Sequence, residues 1–275
     1  MKKRFLLACV TYNSYEEVEK FISSVETAVR NAGNVEVTVA VGDNTVENVQ
    51  DIDCHSNVVE ILSFPYRTNL GYLGCAFRML SEMGSAKLSS YDYVAISNVD
   101  IALAPDFFVN FVGIDNTGIG WIAPDIYTPG RGTHENPFML HRPSRLHFLK
   151  WEMMYASPLL YGVMEWISCH MHSHKPQVQG PMEMYAGHGS FMLFTRAFIS
   201  TFRSFEYPSF MYAEEIFFAE LLLRCHLKVV YQPCLKIENV GSVSVSLLGK
   251  SWKCRNNRGS LRIMRRLFFA SPEES

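Results

Sequence analysis

Two adjacent carboxylates, Glu214 and Glu215, stand between an aromatic-rich stretch, "FEYPSFMYA", and a strongly apolar run, "IFFAELLLRC". Acidic residues ahead of an apolar helix have two uses. They can cap it, because a helix N-terminus favours negative charge. Alternatively, one of them can serve as a general base at the mouth of a pocket, where a positioned group takes a proton from a weak nucleophile. A glycine-flanked histidine, Gly187-His188-Gly189, lies upstream of the pair. Earlier in the chain, polar residues gather in four short clusters. "TYN" carries Thr11, Tyr12 and Asn13, and "GDNT" carries Asp43 and Asn44. "FPYRTNLG" carries Arg67, Asn69 and Gly71, and "SNVD" carries Asn98 and Asp100.

Each polar cluster follows an apolar run that reads as a strand. "RFLLACVTY" is continuously apolar, as a strand covered on both faces requires. "VEVTVAV", "VVEILSF", "YDYVAIS" and "GIGWIAPDIY" read as further strands. A helix begins at Ser14, with Glu17 completing a capping box. Val18, Phe21, Ile22, Val25 and Val29 keep one of its faces apolar, and Gly33 stops it. "YLGCAFRMLSEM" is a second helix. The β-α-β-β-α-β order implies a largely parallel sheet with right-handed crossovers. Ligands of such sheets bind beyond the carboxyl ends of the strands. Four polar strand ends at one edge therefore suggest a nucleotide-sized crevice, against the plainer reading that turns are polar anyway.

Composition bounds the rest. The chain has 275 residues, 48% of them hydrophobic and 19% charged, which is ordinary globular usage. A formal net charge of −2 argues against electrostatic nucleic-acid binding by the whole molecule. Seven cysteines without C-x-x-C spacing point to a reduced, cytoplasmic setting. The opening "MKKRFLLACVTYN" is read as a buried strand, not a secretion signal. The nearest approach to a membrane span, from Phe148 to Ser168, is broken by Lys150, Glu152, Pro158 and Glu165. A spanning helix needs about 20 mostly uncharged residues. The polar loop "TPGRGTHENPFMLHRPSRLHF" leads into two helices separated at Pro158. Their apolar residues, from Trp151 to Trp166, are too many for a solvated insert, so they pack on the core, on another subunit or on a bilayer surface.

Taken in order, "VTYN", "GDNT", "NLGYLGCAFRML", "SNVDIALAPDFF", "GHGSFMLFTRAF" and "FMYAEEIFFAELLLRCHLKVVYQP" resemble the family 2 glycosyltransferases with a GT-A fold. The nearest look is to bacterial rhamnosyltransferase-like enzymes of capsule or O-antigen assembly, over residues 4 to about 246. The resemblance implies an α/β GT-A fold, a Rossmann-like, mostly parallel central sheet flanked by helices. It divides the chain into a nucleotide-sugar half (1–127), a loop and helical insert (128–180), an acceptor and catalytic half (181–246) and a basic C-terminal tail (247–275). It implies an inverting transferase of hexosyl or deoxyhexosyl groups, taking a UDP- or dTDP-sugar to a glycan or polyprenyl-linked acceptor. The alternative is a catalytically silent GT-A scaffold that binds nucleotide or glycan in an assembly complex.

The same resemblance distributes roles. Thr11, Tyr12, Asn13, Asp43, Asn44, Asn69, Gly71 and Asn98 fall at nucleotide-contacting positions, and Arg67 offers a phosphate contact or a plain surface charge. Asp100 falls at the position that holds Mg2+ or Mn2+, hard cations that prefer oxygen ligands and substrate phosphates. Gly187, His188 and Gly189 face the acceptor, Glu215 is the general base, and Glu214 is its neighbour or substitute. The histidine that the family carries after "YQP" is missing; the stretch reads "KIENVGSVS", with Glu238 as the available oxygen ligand.

Two further signals stand apart. Cys169, His170, His172 and His174 could bind zinc or nickel, though not at zinc-finger spacing, or could simply be the solvated end of the insert. From Lys250 to Arg266 there are seven basic residues and no acidic one, with Leu261, Ile263, Met264, Leu267 and Phe268 on an apolar side. Such a segment suits the anionic inner face of a membrane, or is a C-terminal helix packed on the domain. Whether the chain forms a homodimer is left open.

Overall fold

The computed structural model describes residues 2–52, 54–171, 177–201, 206–240 and 249–269, the side chains of 168–171 excepted. The Cys169–His174 cluster lies outside the described side chains.

The continuous apolar runs form the centre of one sheet. β1 (Lys3–Thr11), β2 (Val35–Asp43), β3 (Glu60–Pro65) and β4 (Tyr93–Asn98) are parallel, in the spatial order β3-β2-β1-β4. β1 is buried from Phe5 to Cys9 because helices cover both of its faces. On one side lie α1 (Tyr15–Ala32) and α4 (Phe107–Phe111). On the other lie α2 (Tyr72–Met83) and α8 (Glu214–Arg224). The short α3 (Ser85–Leu88) follows α2.

Beyond β4 the sheet becomes mixed. β5 (Ile101–Leu103) pairs at the far edge, and β6 (Ile119–Thr128) carries the small antiparallel partner β7 (Thr133–His134). β8 (Met182–Met184) pairs with β10 (Lys228–Asn239). β9 (Phe191–Thr195) is inserted antiparallel between β4 and β6, and is followed by the one-turn α7 (Arg196–Ile199). β10 runs parallel to β6. The carboxyl ends of β1, β2, β3, β4, β6 and β10 therefore share one edge, and the antiparallel β9 brings its amino end there.

α1 buries Val18, Phe21, Ile22, Val25 and Val29, as the sequence spacing predicts, and ends at left-handed Gly33, whose N–H donates to the Val29 carbonyl at 3.0 Å. The expected Ser14–Glu17 capping box does not form. The Ser14 hydroxyl instead donates to the Tyr12 carbonyl at 3.1 Å, bracing the turn after β1.

The helices broken at Pro158 are α5 (Arg145–Met154) and α6 (Pro158–Met171). The basic C-terminal segment is α9 (Lys250–Phe269), which packs along α5 and α6 and reaches α8. Its apolar side faces inward: Leu261 and Met264 are buried, and Phe268 lies edge-on to Phe217 of α8. Of the two readings of this segment, the packed helix accounts for its apolar face. Two ion-pair systems hold it. Buried Glu152 of α5 accepts from Arg265 Nε at 2.7 Å and lies 3.5 Å from Arg262 Nε. Buried Glu220 of α8 accepts Arg142 Nε and Nη2 at 2.7 and 2.8 Å and the Tyr185 hydroxyl at 2.8 Å, while the Arg142 guanidinium stacks on the Phe269 ring. No described helix is long and apolar enough to cross a membrane.

Candidate active site

The two adjacent carboxylates open α8, at the edge of the sheet that carries the strand ends. The backbone turns sharply to place them. Tyr212 (φ 71°) and Ala213 (φ 66°) are consecutive non-glycine residues in the left-handed region. Each such residue costs about 1 kcal/mol or more, and persists only where its surroundings over-determine it. Here they do. The Tyr207 hydroxyl donates to the Tyr212 carbonyl, and the Tyr212 N–H donates to Glu214 Oε1 at 2.8 Å. From α9, the Ser260 hydroxyl donates to the Met211 carbonyl, and Trp252 lies edge-on to both Phe210 and Tyr212. The acidic pair is thus held from below by the C-terminal helix.

Its two members differ. Glu214 is buried, and its carboxyl is pushed up to about 8, first by burial and then by the charge of Glu215. Glu215 is half-buried and points at the glycine-rich turn: Gly189 N–H donates to its Oε1 at 3.2 Å. A Cβ on Gly189 would lie 2.6 Å from that oxygen, so any side chain there would push the Glu215 carboxylate aside.

Asp100 follows β4. Its Oδ1 is buried with no hydrogen-bond partner, and burial raises the carboxyl above its ordinary value, against the opposing pull of its own backbone N–H and the Asn98 side chain. Tyr72 joins Asp100 to the acidic pair. Its hydroxyl donates to the Gly189 carbonyl at 2.9 Å, and its acidity is suppressed first by burial and then by the charges of Glu214, Glu215 and Asp100 together. One half-buried phenol therefore lies within electrostatic reach of all three carboxylates. The Asn98 N–H donates to the Ser190 carbonyl at 2.9 Å, tying the end of β4 to the same glycine-rich turn.

His188 sits in that turn. Its N–H donates to the side-chain oxygen of buried Asn136 at 2.9 Å, and Phe138 lies edge-on to its ring. Nδ1 accepts the Ser190 N–H at 3.3 Å.

The strand ends on the far side of β4 form a second cluster. Thr11 pairs with Asp43 across β1 and β2. Both are buried, while Tyr12 is exposed. Asp43 accepts the Tyr15 hydroxyl at 2.9 Å and the Thr45 N–H at 2.8 Å. Asn13 (φ 55°) donates its N–H to the Thr45 hydroxyl at 2.9 Å. Buried Asn44 uses both ends of its amide on the next turn, donating to the Gly71 carbonyl at 2.9 Å and accepting the Leu70 N–H at 3.2 Å. Asn69 is exposed and accepts the Gly71 N–H at 3.0 Å. Gly71 (φ 75°) opens α2 so close to the 207–213 loop that a Cβ would fall 2.0 Å from the Phe210 carbonyl oxygen. Arg67 is exposed, at φ 54°.

Glu238 is exposed on β10, opposite Ala102 of β5. Among the described residues, no three His, Cys, Asp or Glu side chains converge as a metal site. A hard cation held chiefly by substrate phosphates nevertheless fits Asp100, whose buried, partnerless carboxylate oxygen is the ligand chemistry such an ion takes. Sequence reasoning overlooked Tyr72, Asn136, Tyr207, Tyr212 and Ser260. Tyr72 had a local signal, its place directly after the Asn69–Gly71 turn, and Tyr207 and Tyr212 lie in the aromatic-rich stretch just ahead of the acidic pair; Asn136 and Ser260 act across long sequence separations.

No protein-family model matches the chain, and no curated protein sequence matches it. Solved structures do. GalNAc-T7 with UDP, GalNAc and Mn2+ superposes with a TM-score of 0.58 at 13% identity, over 99% of this chain and 49% of that one. S. aureus TarS superposes with a TM-score of 0.54 at 11% identity, over 97% of this chain and 39% of that one. The chain spans about half the length, or less, of these structures. At such identities the likeness concerns the fold, which is the GT-A fold expected from the sequence.

Proposed function

We propose that the chain is an inverting glycosyltransferase, moving a sugar from a nucleotide donor to an acceptor hydroxyl at the shared edge of the sheet. The observation that carries this reading is the grouping of Glu215, Glu214 and Asp100 about Tyr72 and Gly189. The nucleotide lies across the ends of β1, β2 and β4. Asp43 and Asn44, already bonded within the protein, shape the Thr11–Asn13 and Asn69–Gly71 turns that contact it. The N-terminus of α2 faces the diphosphate, with Asn98 beside it and Arg67 available from the rim. A bound Mg2+ or Mn2+ would neutralise charge on the departing diphosphate. Asp100 supplies the protein ligand, and Glu238 is the second candidate.

Glu215 takes the acceptor proton. The acceptor oxygen attacks the anomeric carbon from the face opposite the diphosphate, which leaves with the electrons of the broken carbon–oxygen bond. Burial makes Glu214 the protonated member of the pair near neutral pH, so one negative charge, not two, faces the acceptor. The Gly187-His188-Gly189 turn lines the acceptor side. On this reading residues 1–127 serve the donor and 181–246 the acceptor and base.

The GalNAc-T7 structure that shares this fold contains UDP, GalNAc and Mn2+, which supports a UDP-sugar as the first donor to test, with dTDP-sugars next. A glycan or lipid-linked glycan is the proposed acceptor class. The test is a thermal-shift and turnover screen of UDP-, dTDP- and GDP-sugars with and without Mn2+. Selective stabilisation by one nucleotide, with release of its diphosphate, is expected. Binding without release under any acceptor would favour a silent scaffold.

A further inference from the structure

The insert leaves a large apolar face uncovered. On α6, Leu159 is 81% exposed and Val163 57%, with Leu160 and Met164 beside them. On α5, Leu146 is 75% and Met153 67% exposed. Scattered exposed leucines are ordinary, but Leu159, Val163 and Trp166 of α6 line one groove, and a clustered apolar surface marks an interaction site.

The charge around this face is predominantly basic. Lys150 on α5 is exposed, and α9 carries seven basic residues and no acidic one. The acidic groups of the hairpin are already engaged: Glu152 with Arg265 and Glu165 with Lys250 at 2.9 Å. Between α6 and α9 runs a groove of about 510 Å³, lined by Pro158, Leu159, Gly162, Val163, Trp166 and Lys250. It is apolar except for the lysine at its rim. Protein interfaces pair an apolar centre with a polar rim of mixed character, whereas an apolar face rimmed by lysine and arginine matches an anionic bilayer.

We propose that the α5–α6 face and the basic N-terminal half of α9 dock on a lipid bilayer bearing anionic headgroups. Leu159, Leu160 and Val163 enter the acyl boundary, and Lys150, Lys250 and Lys253 meet the headgroups. The surface adjoins the catalytic loop. Tyr155, between α5 and α6, stacks on Tyr161 with ring centroids 5.4 Å apart. Trp252 of α9 lies edge-on to Tyr212, two residues from Glu214. Docking here presents the Glu215 side of the site to acceptors carried in the membrane, a consequence that rests on the transferase reading; the docking itself does not.

The test is co-sedimentation of the full chain with phosphatidylcholine vesicles containing or lacking phosphatidylglycerol. Partition onto the anionic vesicles is expected, weakened by salt. A Leu159→Glu/Val163→Glu variant and a Lys250→Glu/Lys253→Glu variant should each lose at least about tenfold in partition. Circular dichroism and nucleotide-induced thermal shift should stay unchanged in both. Equal partition of wild type and the Leu159→Glu/Val163→Glu variant, or no partition of either, would overturn the proposal. So would a wild-type dimer in light scattering that Leu159→Glu/Val163→Glu dissociates, because a second copy would then cover the face. Vesicle binding without nucleotide binding would count against the transferase reading alone.

Discussion

Glu215 and Glu214 are neighbours in sequence with unlike surroundings, and the account assigns them unlike work. Glu215→Gln keeps the size and the Gly189 contact but removes the basic oxygen. Turnover should fall by about a hundredfold to ten-thousandfold with donor affinity unchanged, measured by diphosphate release and calorimetry. Glu214 makes a stability prediction. Its folded-state carboxyl is raised from 4.5 to about 8, so the folded chain holds a proton that the unfolded chain has lost. That contribution is fully present below about pH 4.5 and is lost as pH rises towards 8. Glu214→Gln should flatten this part of the stability–pH profile in urea denaturation, and should leave near-neutral activity within a few-fold. The types and order of Asp100, Glu214 and Glu215 were legible in the sequence because the acidic pair opens a strongly apolar run and Asp100 ends a polar strand tip, in the order of the family the chain resembles. Tyr72, which gathers their charges, looked like an ordinary first residue of an amphipathic helix. Its role comes from contacting Gly189, a residue far along the chain.

At the scale of elements, the proposed base is placed by α8, and α8 is clamped from behind. Glu220 is buried and takes Arg142 and Tyr185 at once. Removing Arg142 leaves an uncompensated buried carboxylate. Arg142→Ala should therefore destabilise the fold by about 3 kcal/mol, read from chemical denaturation. The parallel block β3-β2-β1-β4 and helices α1 and α2 followed from hydrophobic patterning, since β1, β2 and β4 are covered on both faces and β3 is their edge neighbour. Of the mixed half, β6 was legible as an apolar run, but the pairing was not. β5 is three residues long, and β9 enters antiparallel between strands remote in sequence; neither leaves a periodic signature. The capping box at Ser14 failed because Ser14 sits at ψ 56°, away from the extended backbone that aims an N-cap oxygen at the first turn; its hydroxyl donates to the Tyr12 carbonyl. The C-terminal helix was legible as amphipathic, but a sequence does not say whether an apolar face meets a bilayer or the core; Leu261 and Met264 meet the core.

For the molecule as a whole, the GT-A fold brings the proposed donor turns and the proposed base to one edge, so donor binding should stabilise all of it. A nucleotide donor at a hundred times its Kd adds about 2.7 kcal/mol by mass action, a rise in Tm of about 5 °C for a chain of this size. Asp100→Asn should abolish the part of that rise that depends on Mn2+. The most direct test of the central claim is single-turnover release of nucleoside diphosphate from the donor that stabilises the wild type, compared between wild type and Glu215→Gln at matched donor occupancy. The account predicts release by the wild type and a loss of at least about a hundredfold in the variant. Equal rates in the two proteins would contradict it.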